Sequence, residues 1–548
     1  MYLCSGFHKL KPLLILYNMT FVRNLTIIIS LFVLSGTFAN AVIIPGREQA
    51  DSIMITPHDG IVKWDVSMFG IGATDGVMPF WSIANKRGIF PSKLWNPKGY
   101  GSILSGSDEI KQGFSAGGLM TAGADIAYMT RPEIEITAGL SIAGYGTDGG
   151  WNGLADRLYF GVGWKKLHLD IGMKDRTSDF NGLSLTGGNI VYSGNARNLP
   201  GYNLNTDFIY IPGTRRILAL KANFADYGMW DNRFVKHAML HNQSIYAQIR
   251  LQKRVHLTLG LEVWSQWSGN SPLYGKQPSS AKDYLRIILG KNGGNGASVS
   301  DQINALGNHL GRELIRLDWR TDKFTFTFQH DIPFDDGSGM GLQNFPDGVN
   351  TLNFSFIDKD RWVSDILFEF VSTKSQSGPR HDRPAKPDEL EKNPDKKFYV
   401  LGGNDNYFNN GEYKSGWTYF GRTIGLPLLT PMPADSETGQ VYGVCNNRVL
   451  AYHFGLKGKI AKAVPYKFLF TYSRNFGSYG QRLARFDSVP EQFSMALEGE
   501  WPGTLCRQGK KSLIPMSVGL GLYADFGNML HDSFGFTIRV TYSDRKKF

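Results

Sequence analysis

The stretch Val255-His-Leu-Thr-Leu-Gly-Leu-Glu-Val263 decides the fold, because apolar residues occupy every odd position and polar or small residues every even one. A period of two places successive side chains on opposite faces of a β-strand. The same alternation recurs in Phe324-Thr-Phe-Thr-Phe328, in Tyr466-Lys-Phe-Leu-Phe-Thr-Tyr472 and in Phe534-Gly-Phe-Thr-Ile-Arg-Val-Thr-Tyr542. The sequence therefore predicts many amphipathic strands.

The two faces of these strands differ more than the faces of a soluble β-sandwich do. One face is almost purely Phe, Tyr, Leu, Ile and Val, while the other carries Gly, Thr, Ser and occasional charges. Lipid outside and a polar lumen inside require that division. The chain has 548 residues with 64 Gly, 13% aromatic residues, 20% charged residues and a mean hydropathy of -0.23. We predict one all-β, transmembrane antiparallel β-barrel rather than several soluble domains.

The alternation also assigns individual residues to the two faces of the barrel wall. The side chains predicted to face lipid are Leu257, Leu259, Phe324, Phe326, Phe328 and Val518. Those predicted to face the lumen are Thr258, Glu262, Thr325, Thr327 and Gly519.

An export signal is predicted at the N-terminus. Arg23 precedes an apolar run at 25–34, and Ala39 and Ala41 fit the small-residue positions of a signal-peptidase site. The run is shorter than the roughly 20 residues that a spanning helix needs. We therefore expect residues 1–41 to be a signal peptide for the Sec pathway. Met19 is the expected true start, because residues 1–18 add an apolar patch that export does not require.

The mature chain is expected to be basic and to contain two cysteines. Loss of Lys9, Lys11 and Arg23 with the signal lowers the formal net charge from +11 to +8, which mildly favours anionic polymers as partners. An oxidising periplasm would allow Cys445 and Cys506 to form a disulfide, and two buried thiols are the alternative.

Two segments depart from the strand pattern. Residues 42–111 contain Pro79, Pro91 and Pro97 and show little alternation, which predicts a first strand or two plus short helices that plug the lumen. The barrel is assigned to residues 112–548. Within it, residues 372–398 combine four prolines with dense charge and no apolar period, which predicts a long exposed loop.

A search for catalytic chemistry finds little. Ser279 and Lys282 have a minimal Ser/Lys spacing but lack the partner motifs, and the histidines have no metal-like spacing. Neither paired carboxylates nor a Ser/His pair stands out. We therefore expect a protein that is not an enzyme, needs no cofactor or metal and binds no nucleic acid.

The most distinctive segment is polar and aromatic. Residues 404–419 contain four Asn, three Tyr and one Trp. Aromatic faces cover the apolar C–H patches of sugars, and Asn amides pair with neighbouring hydroxyls. We predict polysaccharide contacts here, although interfacial aromatics and turns also explain the composition. The predicted contact residues are Tyr407, Asn409, Asn410, Tyr413, Trp417 and Tyr419.

Several long motifs, in one order, resemble the Wzi-type capsule-assembly outer-membrane proteins. They include Leu261-Glu-Val-Trp-Ser-Gln-Trp-Ser-Gly269, Asp301-Gln-Ile-Asn-Ala-Leu-Gly-Asn-His-Leu-Gly311, Gly403-Asn-Asp-Asn-Tyr-Phe-Asn-Asn-Gly411 and Gly416-Trp-Thr-Tyr-Phe-Gly-Arg-Thr-Ile-Gly425. The resemblance implies a monomeric barrel of about eighteen strands, a size that needs a filled lumen if it is not to leak. It also implies a lectin-like role, in which capsular polysaccharide is held on the cell. The resemblance does not identify which residues of this chain would bind sugar.

Three functions are considered for such a barrel. The favoured hypothesis is attachment of exported capsular polysaccharide at the outer membrane, with lipid and lipopolysaccharide as surroundings. The alternative is an outer-membrane diffusion channel for anionic solutes or oligosaccharides. An outer-membrane hydrolase is disfavoured, since its catalytic groups are not evident.

Overall fold

The computed structural model describes residues 58–74, 78–90, 114–147, 150–303, 305–335, 344–378, 383–394, 398–399, 403, 405–479, 488–506, 513–530 and 532–548. The predicted signal peptide lies outside these residues, as does most of the predicted plug segment 42–111. Both stay predictions.

Eighteen antiparallel strands form the wall. In chain order they are β1 Gly60–Thr74, β2 Phe114–Arg131, β3 Ile134–Thr147, β4 Gly150–Trp164, β5 Leu167–Met173, β6 Gly201–Thr206 continued by Ile209–Tyr210, β7 Leu218–Gly228, β8 Met239–Gln252, β9 Val255–Trp267, β10 Asn308–Arg320, β11 Phe324–Phe334, β12 Gly348–Phe356, β13 Asp365–Ser372, β14 Val449–Ile460, β15 Val464–Asn475, β16 Glu491–Cys506, β17 Leu513–Gly527 and β18 Ser533–Lys547. Each strand pairs with its neighbours in sequence.

The sheet closes because the first strand pairs with both β2 and the last strand, β18. At this seam the backbone N–H of Gly60 donates to the carbonyl of Phe548 at 2.8 Å. The Phe548 ring stacks on Tyr128 of β2 with the centroids 6.2 Å apart. The sheet is therefore a barrel without free edges, as a lipid-exposed sheet requires. It begins at Gly60, so the first strand expected within residues 42–111 is present.

The predicted assignment of faces is confirmed. Leu259 and Val518 are exposed on the outer wall, whereas Thr258 and Thr327 are buried on the inner wall. Glu262 contacts groups inside the lumen. Since the outer wall consists of exposed apolar side chains around a closed sheet, the chain is an outer-membrane-type β-barrel.

Among the described residues, the α-helices are short and lie outside the wall strands. They are α1 Phe80–Ile83, α2 Ala281–Ile288, α3 Val299–Ile303 and α4 Pro387–Lys392. Within the described part of the chain, no helix is long and apolar enough to cross a membrane. The predicted loop 372–398 contains α4, which the sequence analysis missed. Pro387 begins this helix because proline tolerates the first helical position.

The two ends of the barrel differ. Two-residue turns join β2 to β3, β4 to β5 and β8 to β9 at the end that carries Phe548. The four longest connections, β1 to β2, β5 to β6, β9 to β10 and β13 to β14, leave the opposite end. In transmembrane barrels short turns face the periplasm and long loops face outward. The long-loop end is thus the external mouth.

Candidate functional site: the filled lumen and its external mouth

The lumen contains a continuous apolar core. Two chain segments enter it from the external mouth, and we call them the lumen segments: 174–200 after β5, and 405–448 before β14. Their buried side chains pack with inward-facing residues of the wall, among them Trp264 on β9 and Tyr523 on β17, and with α1. These two strands lie on nearly opposite sides of the barrel, so the core crosses the lumen.

Wall carboxylates hold the inserted backbone in place. Asp331 of β11 accepts from the N–H of Ile190 at 2.9 Å. Asp525 of β17 accepts from the N–H of Phe80 at 2.8 Å. In both pairs a lumen-facing strand supplies the acceptor that a buried backbone donor needs.

Arg312 of β10 adds further contacts between the wall and the first lumen segment, next to β9 and β11. Arg312 lies 2.9 Å from Glu262 and 3.1 Å from Asp331, and it donates to the carbonyl of Gly188 at 2.6 Å. Asn189 donates to both carboxylate oxygens of Glu262 at 3.1 Å. Because these groups are buried and mutually paired, the arrangement fixes the first lumen segment to the wall.

The rings predicted to bind sugar lie inside this core. Tyr407 and Trp417 are 0% exposed, Tyr419 is 2% exposed and Tyr413 is 3% exposed. The indole N–H of Trp417 donates to the carbonyl of Val191 at 2.8 Å, which joins the two lumen segments. In this conformation the four rings present no face to a polymer at the mouth.

The two predicted asparagines bond to their own chain. Asn409 bonds in a two-pronged way to the backbone of Val444, with distances of 2.8 Å to its carbonyl and 2.7 Å to its N–H. The side chain of Asn410 accepts from the N–H groups of Glu412 and Tyr413 at 2.8 and 2.9 Å. The structure thus brings the six predicted residues into one region, where their contacts serve packing and turn formation. Sugar binding by them stays a prediction.

An exposed ring directly follows this segment. Tyr419 pairs with Arg422 in a tight hairpin whose central residues are Phe420 and Gly421. Both have positive φ, 48° and 75°, as a type I′ turn requires. Phenylalanine is unusual in that conformation. The turn places the Phe420 ring at the mouth, where it is 38% exposed.

Two further side chains complete what we call the mouth patch, which consists of Arg197, Trp230 and Phe420. The Arg197 guanidinium lies over the Phe420 ring, 4.1 Å from its centroid. Asp231 accepts from the N–H of Phe420 at 3.3 Å, which places the neighbouring Trp230 beside the hairpin. Trp230 is 70% exposed. Burial lowers the pKa of Arg197, and the nearby Asp231 opposes that shift.

The sequence analysis missed all three residues of the patch. Phe420 directly follows the last predicted residue, Tyr419, and the Phe-Gly pair that forms the turn was the available signal. Trp230 and Arg197 come from other connections, and nothing local distinguishes them. Among the described residues, no group of three or more His, Cys, Asp or Glu side chains is arranged to hold a metal.

The cysteine prediction is tested only in part. Cys445 is buried, and its thiol donates to the carbonyl of Thr430 at 3.1 Å. The side chain of Cys506 lies outside the described residues, so the disulfide stays a prediction.

Comparisons with known proteins assign neither a family nor a function. No family model matches the chain, and no curated protein matches it. Solved structures similar to it include Wzi of Escherichia coli, described as an outer-membrane protein involved in group 1 capsule assembly and a carbohydrate-binding β-barrel. Its identity to the chain is 13%, the match covers 87% of this chain and 83% of Wzi, and the TM-score is 0.46.

Two other similar structures are OccAB2 of Acinetobacter baumannii and the outer-membrane protein OprD of Pseudomonas aeruginosa. OccAB2 is 9% identical, with coverage of 89% and 98% and a TM-score of 0.41. OprD is 7% identical, with coverage of 89% and 94% and a TM-score of 0.39. Likeness at this level does not assign a function, so the conclusion here is the one that the strand pairing itself carries: the chain is a closed, eighteen-stranded outer-membrane β-barrel.

Proposed function

We propose that the protein is a monomeric capsule-assembly protein of the outer membrane, which binds exported capsular polysaccharide and attaches it to the cell surface without catalysis. The observation that carries the proposal is the mouth patch. It presents two exposed rings and a guanidinium on the external side of a barrel whose lumen contains a packed core.

The chemistry of the patch suits an anionic polysaccharide. An aromatic face covers the apolar face of a sugar ring, and the planar guanidinium pairs with a carboxylate through two parallel hydrogen bonds. Trp230 and Phe420 supply the faces, and Arg197 supplies the cation. Each contact is weak, so retention depends on many repeats of one polymer and on many copies of the protein.

The filled lumen supports attachment over diffusion, since a barrel of this size encloses a channel unless side chains fill it. The motif resemblance to Wzi-type proteins points in the same direction.

The proposal is tested with the Trp230→Ala/Phe420→Ala variant in a strain that makes capsule. We expect polysaccharide to be released into the medium while its synthesis and export continue. Purified variant should retain less capsule in a pull-down than the parent protein. Heat-modifiable gel mobility must show that the barrel is folded.

The matched control is Phe345→Ala, which removes an exposed ring from the β11 to β12 connection, outside the patch. It should retain capsule normally. A folded double variant with a normal capsule layer and unchanged pull-down would refute the proposal.

The second candidate is a diffusion channel for anionic solutes, and one lumen residue favours it. Arg176 lies over the Tyr192 ring, 3.0 Å from its centroid, and donates to the carbonyl of Ile424 at 3.3 Å. Among the described residues it forms no ion pair with a carboxylate, so no acidic side chain neutralises this cation inside the lumen. Large, steady single-channel currents from pure protein in a planar bilayer would favour the channel.

A further inference from the structure

The connection between β9 and β10 places a helix against the outer wall. Trp267 lies eight residues after Leu259 in an unbroken register, so both face outward. The Tyr284 ring of α2 packs on Trp267 with the centroids 4.8 Å apart. Gln243 also faces outward, since Ile245 two residues later is exposed, and its amide donates to the carbonyl of Ile288 at 2.7 Å. Helix α2 therefore lies on the membrane-facing side, near the external rim.

Helix α2 has an N-terminal cap and side-chain contacts to the wall. Ser280 caps it by accepting from the N–H of Asp283 at 3.2 Å. The Tyr284 hydroxyl donates to Asp226, a side chain buried on the outer wall beneath the helix. Ile287 is buried in the same contact. The helix is therefore attached to the wall by one face.

The opposite part of α2 is apolar and basic. Leu285 is 56% exposed and Leu289 is 61% exposed, and they share a face because they are four residues apart. Exposed Lys282 lies on the same side, three residues before Leu285. Residues 268–303 contain four basic and two acidic residues, a net charge of +2, and the acidic Asp301 is buried. Apolar side chains flanked by lysines are typical of a helix that lies in the membrane interface.

An apolar groove lies in the outer wall close to the helix. Its volume is about 400 Å³, which is within the range of small-molecule pockets. Ala222 and Thr206 are small and leave the hollow between larger side chains. Gln243, which bonds to the last turn of α2, also lines it. The larger lining side chains are Leu204, Phe224, Ile245 and Leu261.

We propose that this groove and α2 form a binding site for a phosphorylated glycolipid of the outer leaflet, of the lipopolysaccharide type. An acyl chain lies in the groove, and Leu285 and Leu289 extend the apolar surface. Exposed Lys282, and Lys291 just beyond the end of the helix, meet the phosphates of the head group. The position of the groove identifies the class of ligand. The groove opens on the outside of the barrel, so it contacts lipid, and the adjoining lysines select a lipid with a negatively charged head group. The site is on the outer wall and is independent of the mouth patch.

The test uses the folded full-length protein in detergent and measures bound lipid by native mass spectrometry. The probes are bisphosphorylated lipid A, phosphatidylglycerol, phosphatidylethanolamine and inorganic phosphate. Lipid A should bind best and should survive mild delipidation. Ala222→Phe, which fills the groove, should reduce lipid A retention at least several-fold. Lys282→Glu/Lys291→Glu should weaken binding about tenfold or more and reduce its salt dependence.

Matched controls separate the site from general effects. Lys462→Glu reverses an exposed charge at the short-turn end, and Phe345→Ser removes an exposed apolar ring elsewhere at the rim. Both should bind lipid A as the parent does. The proposal is overturned if Ala222→Phe and the lysine variant bind lipid A normally. Equal retention of phosphatidylglycerol, or full displacement by inorganic phosphate, would also overturn it.

Discussion

Glu369 of β13 accepts a hydrogen bond from the backbone N–H of Leu185 at 2.8 Å, across 184 positions of sequence. The same carboxylate accepts from the Ser184 hydroxyl at 2.6 Å and from Thr351 at 3.0 Å. One wall side chain thus satisfies three buried donors, two of them on an inserted segment. The filled lumen depends on such contacts.

Glu369→Ala should therefore destabilise the barrel. It leaves three buried donors without an acceptor, and we expect the free energy of unfolding to fall by about 2–4 kcal/mol. Urea unfolding in detergent, followed by tryptophan fluorescence, measures the loss. Glu437→Ala, at an exposed position, should change stability by less than about 0.5 kcal/mol. Equal stability of the two variants would contradict a stabilising role for the hydrogen bonds to Glu369.

Trp417 and Trp230 should behave differently, because one is buried and the other is exposed. Trp417→Ala removes a ring from the lumen core, so we expect a loss of about 3–5 kcal/mol. It should also increase single-channel conductance in planar bilayers by loosening that core. Trp230→Ala should leave stability and conductance unchanged. Unaltered stability in Trp417→Ala would show that the core does not rely on this ring.

Leu259 faces outward and is exposed, and Leu251 is exposed on the neighbouring strand at a β-bulge. Leu251 lies one residue from the end of β8 at the short-turn side, whereas Leu259 lies further into the wall. We expect Leu259→Arg to cost about 2–4 kcal/mol and Leu251→Arg about 0–1 kcal/mol, since the cost of a charge falls toward the interface. Refolding into lipid vesicles under a urea titration measures both. Similar costs would argue against the proposed depth of Leu259.

Stability should fall as the pH rises from about 4 to about 7. Burial, together with the neighbouring Glu412, raises the pKa of the Asp301 carboxyl to about 7, although the hydrogen bond from the Gly307 N–H lowers it. Between about pH 4 and pH 7 the folded state holds more protons than the unfolded state, so unfolding becomes easier with rising pH. Thermal unfolding across this window checks the slope. Asp301→Asn should flatten it, and an unchanged slope in that variant would exclude Asp301 as the cause.

The strand faces were predictable because a period of two is local. Thr258 and Leu259 are adjacent, and their opposite environments follow from the strand alone. The inward location of Trp417 was not predictable in this way. Its partner Val191 lies 226 positions earlier, so its burial depends on where two long connections meet.

The composition of the 404–419 segment fits two different structures. Rings beside amides suit a sugar site, and they suit a packed core whose amides satisfy the backbone equally well. Asn409 illustrates the second case, because its amide bonds to the backbone of Val444. The exposed ring is Phe420, whose position follows from a turn with two positive φ values rather than from composition.

Closure of the sheet by β1 and β18 has a consequence for biogenesis. The partner of β1 is β18, the last strand of the wall in chain order, so the seam forms only after β18 has been synthesised. Both lumen segments lie between these two strands in the sequence. Their connections start and finish in the wall, and sealing the seam encloses them. Filling the interior and sealing the barrel are therefore coupled steps of assembly, and a chain that lacks its last strand leaves the enclosure open.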